Sequence, residues 1–570
     1  MKVSDYLVKY LIDKGITDVY GYPGGMVTHL MDSFRKFAPH IAAHVMYHEQ
    51  AAAFAACGYA QASGKVGVAY ATSGPGATNL ITGICNAYFD SIPTLFLTGQ
   101  VNTFELKESS PVRQKGFQET DIVSMIRGVT KYAACIKKPE RIKWYLDRAF
   151  AEAQGDRKGP VLLDIPMDIM RAEIETESLE SFDGCLLSAA AQNLDDNELQ
   201  KIEELLARSC RPLLLLGCGL KFANITADII DLLNAIDIPI VTTMNAFDVV
   251  PHSRSYGFIG AYGGRTANFI AAKCDLLISI GARLDVRQVG AMRKNFAPKA
   301  KILRVDIDEG ELSYLVRDDE IHLQKDAICV LEAIRDIMAH NDTNYGCWQS
   351  VCAQIKQELT GIDEDAPTRF VNRLSQNIPE DTLITTDVGQ NQVWVAQAFE
   401  VRRGQRIFFS GGHGAMGYSL PAAIGACKAS GNVVICFCGD GGFQMNIQEL
   451  QTVVREKLPI KIILLNNNAL GMIRHFQEMY FDKDYFQTTA SCGYTVPNFG
   501  KIAGAYGILY RKVEKLEDID SIMLQGRECC LIEVRLPEKT YVSPKLQYGK
   551  PNQDQEPCLD RSLYNKIMQM

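Results

Sequence analysis

The stretch that decides the fold reads VVICFCGDGGF at residues 433–443 and KIILLNNNALGM at residues 461–472. Each half is an apolar run of strand type, and the first ends in Gly-Asp-Gly while the second ends in three asparagines. The segment between them, MNIQELQTVVRE at residues 445–456, has a helical pattern. Two strands joined by a helix predict a parallel βαβ unit, in which ligands bind at the carboxyl ends of the strands.

Asp440 and Asn467, which are 27 residues apart, would bring hard oxygen ligands to that edge of the sheet. Mg²⁺ prefers octahedral oxygen coordination and usually keeps substrate phosphates among its ligands. The glycines after Asp440 let the backbone approach a phosphate, and the N-terminus of the following helix would face the anion. The pattern therefore predicts a magnesium–diphosphate site. The alternative is a pair of ordinary turns, because glycine and asparagine are common turn residues.

Length and composition limit the possible classes of protein. A chain of 570 residues is too long for one core, so three or four domains are expected. An apolar content of 47% and a charged content of 22% are typical of a soluble globular protein. The net charge of −8 argues against nucleic-acid binding, and no apolar run has the length of a membrane span. The absence of a signal-peptide pattern and the 17 scattered cysteines favour a reducing, cytoplasmic location.

Three blocks of alternating strand-like and helical patterns follow one another, at residues 1–180, 197–345 and 365–540. They predict an α/β fold of three consecutive doubly wound parallel-sheet domains. The stretch at 181–196 is expected to be a linker, and the polar tail at 541–570 is expected to run extended over the surface. The strand-like runs are TDVYGYPGG, KVGVAYATSGPG, IPTLFLTGQ and GPVLLDIP in the first block, RPLLLLGCG, IPIVTT, CDLLISIG and KILRVDID in the second, and DTLITTDVG, NVVICFCGDG, IKIILLNNN and CCLIEVRLP in the third.

Further motifs lie in order along nearly the whole chain: GYPGG (21–25), HEQAAAFAACGYAQASGKVGV (48–68), TSGPGATNLITGI (72–84), DSIP (90–93), FQETD (117–121), GPVLLDIP (159–166), GARLDVR (281–287), GAMGYSLPAAIGA (414–426) and GDGGFQMNIQEL (439–450). Together they resemble acetohydroxyacid (acetolactate) synthase, the large catalytic subunit type of thiamine diphosphate enzyme. The resemblance implies a pyrimidine-binding first domain, a middle domain related to FAD-binding modules and a diphosphate-binding third domain. It implies active sites between the first domain of one subunit and the third of its partner, hence a homodimer or homotetramer, with a possible small regulatory subunit.

Glu49 is the catalytic acid that this resemblance implies. A carboxylate on the pyrimidine N1′ would favour the imino tautomer of the cofactor, whose 4′ nitrogen then takes the proton from thiazolium C2. The alternative is a glutamate at a helix start, where the helix dipole stabilises a negative charge. Phe117 and Gln118 resemble acceptor-side and catalytic-pocket residues of the family, and Gly25 would pass close to the pyrimidine.

The resemblance also implies that Asp440, Asn467 and the backbone carbonyl of Ala469 bind Mg²⁺. Met416 would support the bent conformation of thiamine diphosphate, although it could also be a core methionine. Asn391 stands where the family usually has histidine, and an asparagine can still donate a hydrogen bond. The other residues expected to contact this cofactor are Gln390, Gly439, Gly441, Gly442, Phe443, Leu470, Gly471 and Met472.

FAD is a further cofactor that the resemblance implies for the middle domain. Arg157, Arg283, Asp306 and the Gly217-Cys218-Gly219 turn resemble its contacts. A Gly-x-Gly turn is a weak signal by itself, and some relatives in the wider superfamily carry no FAD there. The reaction is not a redox reaction, so a middle domain without FAD stays open.

The acceptor side is where the chain departs from the family. Arg287 aligns with the arginine that holds the carboxylate of the acceptor, although it could form a structural salt bridge instead. Met26 stands where alanine is usual, and Phe476 stands where tryptophan shapes selection for larger acceptors. The loop at 101–116, which carries Arg113, is longer than its family counterpart; it is either a plain surface loop or a determinant of specificity.

These features imply an enzyme that decarboxylates pyruvate and transfers the two-carbon unit to a second carbonyl compound. With a 2-keto acid such as pyruvate as acceptor, the product is 2-acetolactate, a compound of branched-chain amino-acid biosynthesis. A keto-sugar nucleotide of polysaccharide biosynthesis is the alternative acceptor. A third hypothesis is a catalytically silent regulatory homologue, and the presence of Glu49, Asp440 and Asn467 argues against it.

Overall fold

The computed structural model describes residues 1–184, 193–223, 227–341, 344–514, 524 and 526–570. Part of the expected linker, residues 185–192, therefore lies outside the described residues. The chain divides into two compact units. The first comprises Met1–Ser188, Thr382–Gln392 and Ile407–Lys539, and the second comprises Ala189–Asp381, Val393–Arg406 and Thr540–Met570.

The strands form three six-stranded sheets, and every neighbouring pair that the structure describes is parallel. The strands are β1 (Asp18–Gly21), β2 (Ala42–Val45), β3 (Gly67–Ala71), β4 (Thr94–Gln100), β5 (Tyr132–Cys135), β6 (Pro160–Pro166), β7 (Pro212–Leu216), β8 (Ile240–Thr242), β9 (Ser255–Phe258), β10 (Leu276–Ile280), β11 (Lys301–Asp306), β12 (Ile321–Gln324), β13 (Leu383–Thr386), β14 (Arg406–Phe408), β15 (Val434–Gly439), β16 (Ile460–Asn466), β17 (Leu509–Val513) and β18 (Cys530–Arg535).

The sheet orders are β2-β1-β3-β4-β6-β5, β12-β11-β10-β7-β8-β9 and β14-β13-β15-β16-β18-β17. The first and third sheets therefore repeat one order, 2-1-3-4-6-5, when each is numbered along its own segment. Helices separate most of the strands, as parallel connections require. This confirms the predicted α/β fold with three consecutive parallel sheets.

The helices, with short 3₁₀ turns between some of them, have the following bounds. They are α1 (Val3–Asp13), α2 (Thr28–Lys36), α3 (Glu49–Ser63), α4 (Pro75–Asn79), α5 (Ile81–Phe89), α6 (Ile122–Ile126), α7 (Ile142–Gln154), α8 (Met167–Arg171), α9 (Asp196–Arg208), α10 (Ala227–Ala235), α11 (Arg265–Lys273), α12 (Val286–Val289), α13 (Glu309–Ser313), α14 (Ala327–His340), α15 (Gly346–Leu359), α16 (Ala366–Asn377), α17 (Gln390–Ala398), α18 (Ser419–Ser430), α19 (Asp440–Met445), α20 (Leu450–Arg455), α21 (Gly471–Tyr480), α22 (Phe499–Tyr506) and α23 (Arg561–Gln569).

Two glycine-containing helices, α3 and α18, pack backbone to backbone inside the first unit. A Cβ at Gly58 would lie 2.1 Å from the carbonyl oxygen of Ala422, and one at Gly425 would lie 1.9 Å from that of Ala55. Only glycine permits so close an approach. The contact fixes helix α3, whose first residue is Glu49, against the segment that carries the third sheet.

The end of the chain differs from the expected extended tail. Residues Arg561–Gln569 form helix α23, and Ile567 is fully buried in the apolar core on one face of the second sheet. Lys273 Nζ donates to the carbonyl oxygen of Met568 at 3.0 Å, near the end of the helix where carbonyls lack helical partners. The expectation was wrong for this part because a few apolar residues among polar ones suffice to form one buried helix face.

Candidate functional site

Asp440 lies where strand β15 passes directly into helix α19. The helix begins at Asp440, earlier than the helix predicted at 445–456, and a carboxylate in the first turn is favoured by the helix dipole. The Asp440 side chain is 4% exposed, and its oxygens accept from the backbone N–H groups of Gly441 at 2.9 Å and Ala469 at 3.2 Å. Burial raises the pKa of Asp440 to about 6 although these N–H groups act in the opposite direction. A bound cation would favour the ionised form.

The three asparagines after β16 have different environments. Asn466 Nδ2 donates to Glu533 Oε1 at 2.7 Å, and Asn466 Oδ1 accepts from the N–H of Asn468 at 2.9 Å. Asn468 has a positive φ of 53°, a conformation that asparagine tolerates better than most residues. Asn466 and Asn468 therefore shape the turn and hold it to strand β18.

Asn467 and Gln390 meet beside the start of helix α21. Asn467 Nδ2 donates to Gln390 Oε1 at 3.1 Å, and both side chains are almost fully buried. A Cβ at Gly471 would lie 1.9 Å from Gln390 Oε1 and 2.9 Å from Asn467 Nδ2, so a side chain at that position is excluded. The structure thus brings Gln390 together with Asn467 and Gly471, residues from two separate stretches of the sequence that were assigned to one site.

Three side chains converge over Gly441. A Cβ on this residue would lie 2.8 Å from Leu470 Cδ2, 3.2 Å from Met416 Cε and 3.3 Å from the hydroxyl oxygen of Tyr494. Burial, followed by the charge of the nearby Asp440, raises the pKa of Tyr494. Tyr494 lies in no recognisable motif, so its position here was not predicted from the sequence.

Asp387 is a second buried carboxylate that the sequence analysis missed. It accepts from the backbone N–H groups of Val388, Gly417 and Ser419 and from the Ser419 hydroxyl. Burial raises the pKa of Asp387 to about 6, and a Cβ at Gly442 would lie 2.2 Å from its Oδ1. Asp387 therefore connects the loop at residues 414–418, which carries Met416, with helix α19. Its position directly after the run DTLITT was the available signal.

The buried side chain of Asn391 indicates that a polar ligand fits this edge of the sheet. It is 2% exposed, and its Oδ1 has no hydrogen-bond partner in the part of the chain that the structure describes. Its Nδ2 lies 3.3 Å from the position of a Cβ on Gly439 and equally far from one on Gly389. A buried amide needs a partner, so a diphosphate oxygen at Nδ2 and a water at Oδ1 fit this arrangement. The ring of Phe443 packs against that of Phe499, with ring centres 5.7 Å apart, and the contact of its backbone with a diphosphate stays a prediction.

Glu49 occupies the first turn of helix α3. His48 caps the helix through its Nδ1, which accepts from the N–H of Gln50 at 3.0 Å. The Glu49 side chain is 8% exposed, and its Oε2 accepts from Asn79 Nδ2 at 2.9 Å. Asn79 therefore orients the carboxylate. Asn79 lies in the motif TSGPGATNLITGI, and its role was not predicted from the sequence.

Gln118 lies next to the loop that contacts Glu49. Gln118 has a positive φ of 64°, and a Cβ on Gly74 would lie 3.0 Å from the Cβ of Gln118. The carboxylate of Glu49 lies 3.1 Å from the position of a Cβ on Gly76, two residues further along the same loop. Phe117, by contrast, is 78% exposed.

Met26 and Gly25 lie in the 3₁₀ turn after strand β1. The N–H of Met26 donates to Thr72 Oγ1 at 3.2 Å, and a Cβ on Gly99 would lie 2.9 Å from Met26 Cβ. A Cβ on Gly25 would meet nothing within 4 Å. Position 25 therefore has free space beside it, while Met26 is held against the ends of strands β3 and β4.

The loop at 101–116 folds around the carboxylate of Glu119. This side chain accepts from the backbone N–H groups of Lys107, Lys115 and Gly116, and Lys115 Nζ donates to the carbonyl oxygen of Phe104 at 2.6 Å. Burial acts to raise the pKa of Glu119, but the three N–H groups outweigh it and the pKa is lowered. The loop is thus internally bonded, and Arg113 is exposed on it.

Phe476 lies on helix α21 within an exposed aromatic cluster. Its ring is 4.7 Å from that of Tyr480 and 6.0 Å from that of Phe481. About half of the Phe476 side chain, 49%, is exposed. Met472 is partly buried in the same helix, one residue after Gly471.

Arg287 belongs to the second unit and is exposed on helix α12. Its guanidinium lies 5.6 Å from the ring centre of Tyr262. Among the described residues it makes no salt bridge, so the structural ion pair considered as an alternative is not found there. A guanidinium on an aromatic face keeps donors available to a carboxylate.

The residues predicted to contact FAD are divided between the units. Arg157, in the first unit, donates from Nε to Ser91 Oγ at 2.9 Å. In the second unit, Arg283 pairs with Asp285 at 3.4 Å, and Asp306 lies at the end of strand β11.

The predicted Gly-x-Gly turn lies at the carboxyl ends of strands β7 and β10. A Cβ at Gly217 would lie 2.0 Å from the carbonyl oxygen of Gly281, and one at Gly219 would lie 2.9 Å from Gly281 Cα. The glycines therefore leave bare backbone at this edge, where α/β sheets bind ligands.

Two features are absent from the part of the chain that the structure describes. No helix there is both long and apolar enough to cross a membrane. No group of three or more histidine, cysteine, aspartate and glutamate side chains there could hold a metal ion.

Models of three thiamine pyrophosphate enzyme domains match this chain. The N-terminal TPP binding domain matches residues 1–125, the central domain matches residues 199–334, and the C-terminal TPP binding domain matches residues 387–534. The three matches follow the order of the three sheets.

The chain is similar to curated proteins over nearly its full length. It is 36% identical to the acetolactate synthase isozyme 2 large subunit of Escherichia coli (strain K12), over 97% of this chain and 99% of that protein. It is 36% identical to a probable acetolactate synthase large subunit of Methanocaldococcus jannaschii, over 93% of this chain and 90% of the relative. It is 33% identical to the acetolactate synthase large subunit of Lactococcus lactis, over 96% and 94%.

Proposed function

The chain belongs to the acetolactate synthase large-subunit family of thiamine pyrophosphate enzymes, and from this premise we propose that it decarboxylates pyruvate and transfers the two-carbon unit to a second 2-keto acid, giving 2-acetolactate. The observation that carries this proposal is the burial of Asp440, Asn467 and Gln390 at one edge of the third sheet. Asn467 bonds Gln390 there, and Asp440 accepts from the N–H of Ala469, two residues after Asn467. Family likeness alone would not require these side chains to be intact and buried. The three blocks would serve as pyrimidine-binding, middle and diphosphate-binding domains.

Asp440, Asn467 and the carbonyl of Ala469 would hold Mg²⁺ through oxygen ligands. The backbone at the start of helix α19, at Gly441, Gly442 and Phe443, would face the diphosphate. Met416 and Leu470 converge over Gly441 and would support the cofactor there. Thiamine diphosphate, when bound, supplies the nucleophilic carbon and the electron sink that loss of CO₂ requires.

Glu49 would hold the proton at the pyrimidine N1′ of the cofactor. Its burial at 8% exposure and its hydrogen bond from Asn79 support this role, because a proton-transfer group must be positioned in one orientation. Gln118 lies beside the same loop and would orient the substrate carbonyl. Phe117 and Gly25 would border the entrance, since the first is exposed and the second has free space around it.

The acceptor would be recognised by residues outside this cluster. Arg287 has an exposed guanidinium without an ion pair among the described residues, which suits the carboxylate of a 2-keto acid. Phe476 and Met26 would limit the size of the acceptor. The family also suggests a homodimer or homotetramer with active sites between subunits, and a small regulatory subunit, since the relatives are named large subunits.

FAD binding in the middle domain is a separate part of the proposal. The bare glycine backbone at the ends of β7 and β10 supports it, with Arg283 and Asp306 in the same unit. Purified protein should then be yellow and release flavin absorbance on denaturation. A colourless preparation from cells with ample riboflavin would contradict this part and leave the thiamine site unaffected.

The acceptor can be tested with pyruvate as the only substrate. Purified protein with thiamine diphosphate and Mg²⁺ should release CO₂ and accumulate acetolactate, measured as acetoin after acid treatment. Adding a keto-sugar nucleotide should leave CO₂ release unchanged. CO₂ release that starts only with the sugar, without acetolactate from pyruvate alone, would favour the alternative acceptor and sink the acetolactate proposal.

A further inference from the structure

The segment that leads into Glu49 is held by one row of side chains from the third sheet's helices. Residues 446, 449, 452 and 455 lie at intervals of three along the 3₁₀ turn Ile447–Glu449 and helix α20, so each is a neighbour of the next. Asn446 Nδ2 donates to Gln50 Oε1 at 3.3 Å, and Glu449 Oε1 accepts from the N–H of Tyr47 at 2.8 Å. Thus the residues on both sides of Glu49 are bonded to this row.

The same row continues to the end of strand β2. Thr452 Oγ1 and an Arg455 guanidinium nitrogen both donate to the carbonyl oxygen of Val45, at 3.4 Å and 2.5 Å. The Arg455 guanidinium also lies 5.6 Å from the ring centre of Tyr47. The row, here called the α20 row, therefore comprises Asn446, Glu449, Thr452 and Arg455 and follows the chain from Val45 to Gln50.

His44 lies at the start of this held segment and is 5% exposed. Its Nε2 is 2.7 Å from Asp18 Oδ1 on strand β1, and its Nδ1 is 3.4 Å from Glu456 Oε2 at the end of helix α20. Each ring nitrogen thus faces a carboxylate, an arrangement that a doubly protonated imidazolium satisfies and a neutral imidazole cannot. Glu456 adjoins Arg455, so His44 lies at one end of the α20 row.

Every element packed against His44 contributes to its electrostatic surroundings. Strand β1 provides Asp18 and the ring of Tyr20, stacked at 5.5 Å, and Tyr20 in turn contacts Tyr59 of helix α3. Helix α18 provides Lys428, whose Nζ is 2.9 Å from Glu456 Oε2. Arg455 lies 3.2 Å from the other oxygen of Glu456. Two carboxylates therefore face His44 directly, and both cations contact Glu456.

We propose that His44 is a positioning residue for Glu49: as an imidazolium bound to Asp18 and Glu456, it locks strand β2 to helix α20 and so fixes the segment that carries the catalytic carboxylate. This inference rests on the proposed function only for the role of Glu49. The contacts of His44 with Asp18 and Glu456 do not involve the cofactor, so they can be tested in the protein without it. Neutral His44 would lose one of its two charge-assisted hydrogen bonds. The chain from Val45 to Gln50, which includes Glu49, would then be held less tightly.

The direction of the pH dependence follows from the surroundings of His44. Burial acts to lower the pKa of His44, but the hydrogen bonds with Asp18 and Glu456 outweigh it and the pKa is raised. A group whose folded-state pKa is raised contributes stability that is complete below its unfolded pKa and lost as pH rises through the folded value. The hydrogen bond with His44 in turn holds the pKa of Glu456 far below its usual range. The lock is therefore closed at acid pH and opens as the pH rises through the raised pKa of His44.

The test compares wild type with His44→Asn over about pH 6 to pH 9, a range that spans the usual histidine pKa and values above it. At the acid end, kcat for CO₂ release should be about tenfold lower in the variant, because small displacements of catalytic groups have effects of this order or larger. The KM for pyruvate should differ by less than about twofold. The two kcat profiles should converge at the alkaline end, since neutral imidazole and amide both lack the charge.

His40→Asn is the matched control, because His40 is exposed on the same connection before β2. Its kcat should equal that of wild type at every pH. A ratio between wild type and His44→Asn that stays constant across the pH range would show a structural effect without titration and overturn the proposal. If His44→Asn fails to fold, Asp18→Asn replaces it: removal of one carboxylate should move the alkaline loss of kcat to lower pH, and an unmoved profile would equally overturn the proposal.

A measurement without cofactor separates this proposal from the proposed function. Hydrogen–deuterium exchange of the peptide spanning residues 43–50 should be about tenfold faster in His44→Asn than in wild type at pH 6.5, because the Tyr47 N–H bond to Glu449 opens more often. The difference should vanish at pH 9. Equal exchange at both pH values would contradict the lock, whether or not the protein releases CO₂. Inactive wild type with the expected exchange difference would contradict only the proposed function.

Discussion

Replacing Glu49 by glutamine is expected to lower kcat for CO₂ release from pyruvate by about 10³-fold, within the range for loss of a positioned acid–base group. Glutamine keeps the size of the side chain and can still accept a hydrogen bond from Asn79 through its amide oxygen. It cannot hold the proton at the pyrimidine N1′ as a carboxyl group does. Thiamine diphosphate affinity should change by less than about tenfold, because the diphosphate and Mg²⁺ sites lie at Asp440 and Asn467.

The measurement for Glu49→Gln is a single-turnover and steady-state CO₂ assay, with cofactor binding followed by calorimetry. Glu140→Gln is a suitable control, because Glu140 is an exposed glutamate between strands β5 and β6 of the first sheet, the sheet to whose segment Glu49 also belongs. Asn79→Ala should fall between the two, with a loss of about tenfold, because it removes the hydrogen bond that orients Glu49 and keeps the carboxylate. Unchanged turnover in Glu49→Gln would show that the assigned role is wrong.

Asp440→Asn is expected to weaken binding of thiamine diphosphate with Mg²⁺ by at least about 100-fold. Changes in groups that only support metal ligands already cost 10- to about 100-fold, and Asp440 is the single carboxylate among the proposed ligands. The substitution keeps the shape of the side chain, so the loss reports the charge and not packing. The exposed Asp482→Asn is the matched control and should bind like wild type.

The pH dependence of binding gives the same prediction a second readout. Burial raises the pKa of Asp440 to about 6 in the unliganded chain. Below that pH a proton competes with Mg²⁺, so wild-type affinity should fall about tenfold for each pH unit, while the variant should show no such decline. If Asp440→Asn and wild type bind the cofactor equally strongly, Asp440 is not a ligand of the metal.

The strands that the sequence analysis identified are the four inner strands of each sheet, and those it missed are the two edge strands of each. Inner strands of parallel sheets are covered on both faces and therefore read as continuous apolar runs, as β16 does with all of its residues buried. Edge strands are short and partly exposed; β17, for example, has only its last residue buried. Burial is a property of the assembled sheet, so the sequence pattern of an edge strand resembles that of a loop. The missed strands are β2, β5, β9, β12, β14 and β17.

The candidate site shows the same division. The types of residue at Asp440, Asn467 and Glu49 are readable because the chemistry demands a carboxylate or amide in a recognisable local pattern. Asp387, Tyr494 and Asn79 were missed because their roles arise from residues distant in sequence. Asp387, for instance, accepts from N–H groups of Gly417 and Ser419 about thirty positions away.

The sequence by itself determined the fold class, the order of the three α/β blocks and the family to which the chain belongs. Those follow from local patterns: apolar runs, helical periodicity and glycine-rich turns, whose physical causes act over a few residues. Only the tertiary structure decided which polar side chains meet, such as Gln390 with Asn467, and that His44 lies between two carboxylates. Contact, burial and charge depend on distances between segments that are far apart along the chain, and a linear pattern does not contain those distances.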